Sequence, residues 1–252
     1  MNNSEKVKQA KESFERILDN KKYAGIIKDD SHLEVLLSLA DGARNRKILD
    51  IGTGTGYLAF PLAERFPTAD VSGIDIAENV IEKNNAVVAE KGISNLTFQA
   101  FDGLTYPFSA ESFDLIVTRY AFHHFPDVSD AVRQMQELLV KGGRVLVSDP
   151  VRNEKDGNGI IDRFMQVKKD GHIQFYSFKE LDELFLSHGF AKEKQVVTEM
   201  KFPFAQGEEY LSLYENITEE ERMLYDIAKE NGIVWVRYIE VGNTVFVKQG
   251  AQ

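Results

Sequence analysis

Cysteine is absent from the 252 residues. Disulfides, zinc–thiolate sites and a cysteine nucleophile are therefore excluded. Basic residues are in short supply: 30 Lys and Arg stand against 40 Asp and Glu, for a formal net charge of -10. A field of that sign repels a phosphate backbone, so no nucleic-acid partner is expected, although a local basic patch stays open. No apolar run approaches the roughly 18 residues of a membrane span. The longest stretch without a charge, Ile51 to Ala63, is interrupted by three glycines. The opening segment MNNSEKVKQAKESF has no apolar core of the signal-peptide kind. These absences lead to the expectation of a cytoplasmic protein with no membrane association.

What is present is the profile of an ordinary globular chain, 43% apolar and 28% charged. Neither internal repeats nor low-complexity segments occur. Val7, Ala10, Phe14, Ile17 and Leu18 recur at helical spacing near the start. A second helix is expected from Ser31, where Ser31 and Glu34 fit a capping box. From residue 47 to 150 short apolar runs alternate with helical stretches. The runs are Lys47–Ile51, Asp70–Ile76, Leu96–Phe101, Phe113–Thr118 and Arg144–Asp149; the helices are Gly56–Phe66, Glu78–Lys91 and Ser129–Val140. Such alternation predicts a parallel sheet covered on both faces, an α/β architecture.

Beyond Pro150 the alternation loosens. VRNEKDGNG reads as a loop. Ser177 with Glu180 predicts a capped helix running to His188, and Gly189 ends it. A strand near Lys194–Met200, helices near Glu208–Tyr214 and Glu219–Asn231, and a last strand near Thr244–Lys248 complete the chain. The last two strands close the sheet, and the segment between them forms an insertion over a site.

The sharpest local signal is the run from Ile48 to Gly56, ILDIGTGTG. A buried strand enters a glycine-rich turn and a helix opens directly after it. Glycines permit positive φ and close approach of backbone to a ligand. Asp75 follows about 20 residues on, at the end of the second strand, where an acid can accept from ribose hydroxyls. The third strand ends in Phe101-Asp102-Gly103. Three loops at carboxyl ends of parallel strands thus converge on one nucleoside-shaped site. The dinucleotide pattern G-x-G-x-x-G/A fits only weakly: counted from Gly52 its third position is Tyr57, and counted from Gly54 it is Ala59. No G-K-S or G-K-T is present, which argues against P-loop ATP hydrolysis.

ILDIGTGTGYLAFPLA resembles the first motif of class I S-adenosylmethionine-dependent methyltransferases. GIDIAENVIEKN, FDGLTYPF and FDLIVTRYAFHHFPD resemble the three regions that follow, and LLVKGGRVLVSDP the next helix–turn–strand. The resemblance runs continuously over residues 47–150 and is nearest to small-molecule methyltransferases of the quinone-biosynthesis type. It implies a Rossmann-like, doubly wound, seven-stranded, mostly parallel sheet with an antiparallel last strand, N-terminal helices, and a helical insertion between the last two strands. One domain over residues 1–252 is implied, with a helical cap (1–46), a cofactor-binding core (47–150) and the remaining sheet with covering insertions (151–252). The cofactor implied is S-adenosylmethionine. Gly52, Gly54 and Gly56 would admit its methionine and ribose part, and Asp50 would sit near its ammonium. Asp75 would hold the ribose hydroxyls, Ile76 the adenine face, and Asp102 with Gly103 the adenine amino group. Arg119 and Tyr120 would flank the methionine tail, and Tyr23 would close over it.

The methyl of a sulfonium is already activated, so positioning and exclusion of water carry most of the reaction, and a catalytic triad is not required. His123 and His124 are the candidate catalytic residues, since histidine can act as a base near neutral pH. His172 and Tyr176 are further candidates. An aromatic acceptor pocket is expected from Phe202, Phe204, Tyr210, Tyr214, Trp235 and Tyr238. A small-molecule acceptor is the expected partner. Arg119-Tyr120-Ala121-Phe122 stands where amino-methylating DNA enzymes carry N/D-P-P-aromatic, and the paired glutamates of arginine methyltransferases are missing there. Asp149 alone makes a poor Mg²⁺ site, so no metal is expected. Two alternatives stay open: a cofactor-binding protein without turnover, and a nicotinamide-dependent oxidoreductase, for which Tyr225 and Lys229 on a late helix have Tyr-x-x-x-Lys spacing. The oligomeric state has no signature.

Overall fold

A computed structural model describes residues 2–17, 30–41, 46–200 and 207–250. Tyr23, Phe202 and Phe204 lie outside the described residues. Helices α1 (Asn3–Ile17) and α2 (Asp30–Ala40) precede the sheet. Helix α2 starts at Asp30, so Ser31 sits inside its first turn and not at its cap. Five strands follow, with three helices and a 3₁₀ turn between them: β1 (Lys47–Ile51), α3 (Ala59–Arg65), β2 (Asp70–Asp75), α4 (Glu78–Lys91), β3 (Leu96–Ala100), β4 (Phe113–Arg119), the 3₁₀ turn (Phe122–His124), α5 (Val128–Leu138) and β5 (Leu139–Pro150). Then come α6 (Ile160–Gln166), α7 (Phe178–Ser187), β6 (Phe190–Met200), α8 (Glu208–Glu215), α9 (Glu219–Met223), the hairpin β7 (Ile227–Glu230) with β8 (Ile233–Val236), and β9 (Ile239–Lys248).

Seven strands form one sheet in the order β3-β2-β1-β4-β5-β9-β6. The pairs among β1 to β5 are parallel, and β9 runs antiparallel to both β5 and β6. Side chains alternate between the two faces. Ile48 enters one apolar cluster with Leu36 and Leu62, whereas Leu49 and Ile51 enter the opposite cluster with Val132, Met135 and Phe185. Burial of both faces explains the continuous apolar strands. Each such fully buried Leu or Ile contributes about 1.5–3 kcal/mol.

Ser177 accepts from the Glu180 backbone N–H while Glu180 accepts from that of Ser177, so the expected capping box is present. The expected helix Glu219–Asn231 is a correction. It stops at Met223, and the chain turns through Asp226 at φ 45° into β7. The apolar residues Ile227, Val234 and Val236 alternate on a hairpin that packs with Phe164 and Tyr210 in a third cluster. The insertion is thus helical and stranded, with its own apolar interior. No helix among the described residues is long and apolar enough to cross a membrane.

Candidate active site

The order of the strands reverses between β1 and β4, the place where an open parallel sheet leaves a crevice beyond its carboxyl ends. The loop after β1 fills one side of that crevice. Gly52 and Thr53 both donate backbone N–H groups to the Ile74 carbonyl, at 2.9 and 3.0 Å. Gly52, Gly54 and Gly56 all have positive φ. A Cβ on Gly52 would stand 2.4 Å from the Ala121 Cβ, while one on Gly54 would meet nothing within 4 Å. Gly54 therefore presents bare backbone to the open space. Gly56 does not line that space; a Cβ there would meet the Phe60 ring at 2.6 Å, so its role is the turn into α3.

Asp75 clasps this loop. One carboxylate oxygen accepts from Gly54 N–H at 2.8 Å and the other from Ala77 N–H at 2.9 Å, ahead of α4. Asn84 on α4 donates to the Gly54 carbonyl at 2.8 Å. Below, the Thr53 hydroxyl donates to Asp50 at 2.7 Å. Burial pushes the Asp50 carboxyl up to about 7; the Thr53 bond opposes this, Asp75 adds to it and Arg119 subtracts. Burial also raises Asp75, against the pull of its backbone donors. Two carboxyls that resist ionisation thus stand side by side beneath the loop.

The crevice continues as a cleft enclosing about 1040 Å³ of empty space, its mouth included. Asp50, Gly52, Gly54, Asp75, Ile76 and Gly103 line it on one side, with Arg119, Tyr120 and His124 on the other. The Arg119 guanidinium lies between the Tyr57 and Tyr120 rings, 3.9 and 4.0 Å from their centroids. Asp102 is exposed at the rim: its carboxylate accepts from Leu104 and Thr105 N–H at 2.8 and 2.7 Å and holds its own turn. The following residue, Gly103, reaches the cleft, where a Cβ would stand 2.7 Å from Val7.

Helix α1 roofs this space. Val7, Ala10 and Phe14 face the cleft, one stripe at spacings of three and four. Lys11 pairs with Glu78 at 2.5 Å, and Asn79 donates to the Glu15 carbonyl at 3.0 Å. The stripe is legible in the sequence, but its target is not, because nothing in a periodicity names what a helix covers.

His123 and His124 part company. His124 lines the cleft; His123 is buried behind it, with ring centroids 4.0 Å apart. Asp149, at the end of β5, accepts from the His123 backbone N–H at 3.1 Å and lies 2.8 Å from its Nδ1. Burial lowers His123 and raises Asp149, so neither favours a lone charge. His172 packs 5.2 Å from His123, bound to Asp162 at 2.7 Å. Neither His172 nor Tyr176 lines the cleft. The sequence sets Asp149 aside as a lone carboxylate unsuited to a metal; its pairing with His123 bridges 26 residues and has no local signature.

The expected aromatic acceptor pocket is not built as anticipated. Tyr210 and Tyr214 pack into the insertion's interior, Tyr238 is exposed, and neither they nor Trp235 line the cleft. Tyr225 and Lys229 are not on one helix. The Tyr225 hydroxyl donates to Asp156 at 2.8 Å and accepts from Asn153 N–H, while Lys229 pairs with Glu215. Both stand away from the cleft, which removes the residues on which a dehydrogenase reading rested.

A family model described as a methyltransferase domain matches residues 43–231. The chain belongs to the methyltransferase-domain family. Among curated relatives of that family, an uncharacterized methyltransferase of Bacillus subtilis, YcgJ, is 29% identical over 170 residues, covering 66% of this chain and 65% of its own. The aklanonic acid methyltransferase DauC of a Streptomyces species is 34% identical over 117 residues, 46% of this chain and 53% of its own. A demethylmenaquinone methyltransferase of Thermus thermophilus is 32% identical over 118 residues, 47% of this chain and 53% of its own. The matches thus span about half to two-thirds of these relatives' lengths. The crystal structure of YcgJ superposes with a TM-score of 0.75 at 22% identity, covering 88% of this chain and all of that one, which shows the shared fold.

Proposed function

We propose that this protein transfers a methyl group from S-adenosylmethionine to a small-molecule acceptor. One observation carries the reading: buried Asp50 and Asp75, a bare Gly54 backbone and Gly103 meet around one roofed cleft at the strand-order reversal. The donor set fits a cationic nucleoside. Positive charge beside a buried carboxyl restores its ionised form, and Asp50, raised to about 7, is placed to receive it. The names of DauC and of the demethylmenaquinone methyltransferase support a small acceptor.

When bound, the cofactor supplies a methyl carbon activated by its sulfonium leaving group. The residues of this chain do the rest. Asp75 would hold the ribose hydroxyls while keeping the Gly54 N–H. Ile76 and Gly103 would take the adenine, with Asp102 at the rim for its amino group, and Asp50 would receive the ammonium, with Arg119 and Tyr120 for the methionine tail. Helix α1 excludes water, and residues 1–46, 47–150 and 151–252 act as one unit. His124, which lines the cleft, takes the acceptor's proton, with His123 held behind it.

Thermal shift tests the cofactor. S-adenosylmethionine and S-adenosylhomocysteine raise Tm, and NAD leaves it unchanged, because only a ligand of the folded state stabilises it. Transfer of labelled methyl into a low-mass cell extract then separates turnover from binding alone. A shift with NAD only would overturn the reading.

A further inference from the structure

Tyr120 stands on the cleft wall in a costly backbone conformation. Its φ is 53°, in the left-handed region that a bulky side chain rarely adopts. Such a residue persists where its surroundings over-determine it. The Tyr120 N–H donates to the Ser148 carbonyl at 2.9 Å. The Arg119 guanidinium lies over its ring at 4.0 Å. The ring of His32, from helix α2, stacks on it at 5.7 Å between centroids and 25° from parallel. Tyr57, Arg119, Tyr120 and His32 thus form one run of stacked groups, of which the first three line the cleft and His32 does not.

His32 is itself fixed from behind. It is buried, and its Nε2 lies 2.9 Å from Oδ1 of Asn243, a fully buried residue of β9. The Asn243 Nδ2 donates to the Val196 carbonyl and to the Thr198 hydroxyl, each at 3.0 Å, which sets the orientation of the amide. Its Oδ1 accepts from the Ser148 hydroxyl at 2.8 Å. An amide oxygen only accepts, so His32 carries a proton on Nε2 and donates it. That bond ties the imidazole to the sheet while its face rests on Tyr120.

We propose that His32 is a positioning residue for the amino-acid tail of the cofactor. The proposal rests on the methyl-transfer reading above. Asn243 holds the imidazole, the imidazole holds the Tyr120 ring, and that ring with Tyr57 holds the Arg119 guanidinium at the cleft wall. A free arginine side chain gives up much rotamer freedom when it binds a carboxylate; one already packed between two rings gives up less. The stack joins the loops after β1 and β4 to α2, whereas Asp75, Ile76 and Gly103 come from the ends of β2 and β3. The influence of His32 therefore falls on the tail and spares the nucleoside.

The test uses the full chain and two ligands, S-adenosylhomocysteine and 5′-methylthioadenosine, which keeps the nucleoside and sulfur but has no amino-acid tail. If the unaltered protein does not bind S-adenosylhomocysteine, the methyl-transfer reading itself falls. His32→Gln keeps an N–H donor for Asn243 and removes the ring. By calorimetry it binds S-adenosylhomocysteine about fivefold more weakly, the loss expected for one aromatic pair, and methylthioadenosine within about twofold of the unaltered protein. Its denaturation midpoint is unchanged, which a merely structural role would not give. His32→Ala shows the same split between ligands and carries the test if His32→Gln does not fold. Because His32 acts through Tyr120, adding His32→Gln to Tyr120→Ala weakens S-adenosylhomocysteine no further. This cycle is read on S-adenosylhomocysteine alone, so it decides even where methylthioadenosine binds too weakly to measure. Unchanged S-adenosylhomocysteine affinity in His32→Gln, an equal loss for both ligands, or a further loss in the double variant would each overturn the proposal.

Discussion

Gly52 and Gly54 share one loop and the left-handed region of φ, at 72° and 49°, yet their surroundings differ. Gly52→Ala sets a methyl 2.4 Å from the Ala121 Cβ, whereas Gly54→Ala meets open space. For Gly54→Ala the backbone strain alone costs about 1–2 kcal/mol. Gly52→Ala adds the clash, so chemical denaturation ranks it as the more damaging variant. Asp50 gives a second prediction at this scale. Its folded-state pKa, about 7, lies above that of an unfolded Asp. Its contribution to stability is therefore present at acid pH and is lost as pH rises through about 7. A cation bound beside it expels the proton, so S-adenosylmethionine affinity rises between about pH 6 and pH 8. Calorimetry in buffers of different ionisation enthalpy reads the proton release, and Asp50→Asn removes it.

Among the elements, α1 is the helix before the sheet that supplies Val7, Ala10 and Phe14 to the cleft wall. Ala10 is 3% exposed, and a Cβ on Gly171 would stand 2.7 Å from its own Cβ. Ala10→Leu has no room and lifts the helix. We expect a stability loss of about 1–3 kcal/mol and faster release of S-adenosylhomocysteine, measured by stopped-flow. Elements governed by local rules were legible in the sequence. Lys47–Ile51 and Glu78–Lys91 have the expected bounds, and Ser177 caps as its spacing required. The late helix failed because Tyr225, Ile227 and Lys229 suit a helix face and a strand equally in a short apolar run. The positive φ at Asp226 and Asn231, which sets the hairpin, is carried by residues other than glycine. Tertiary pairing decided it.

For the whole molecule, the insertion's interior and the cleft share no residue. Phe164→Ala in that interior costs about 3–5 kcal/mol, yet S-adenosylhomocysteine affinity stays within about twofold; denaturation and calorimetry on the same variant separate the two. The glycine turn and strand-end acids that line the cleft were legible because they are local in sequence. The two His–Asp pairs were not, because Asp149 reaches His123 and Asp162 reaches His172 only through the sheet order and the following loop. One junction links the roof to these pairs. Gly171 packs against Ala10 on the roof, where a Cβ would stand 2.7 Å from the Ala10 Cβ, and the next residue, His172, is bound to Asp162. Any side chain at position 171 would therefore wedge α1 away from the loop that carries that pair.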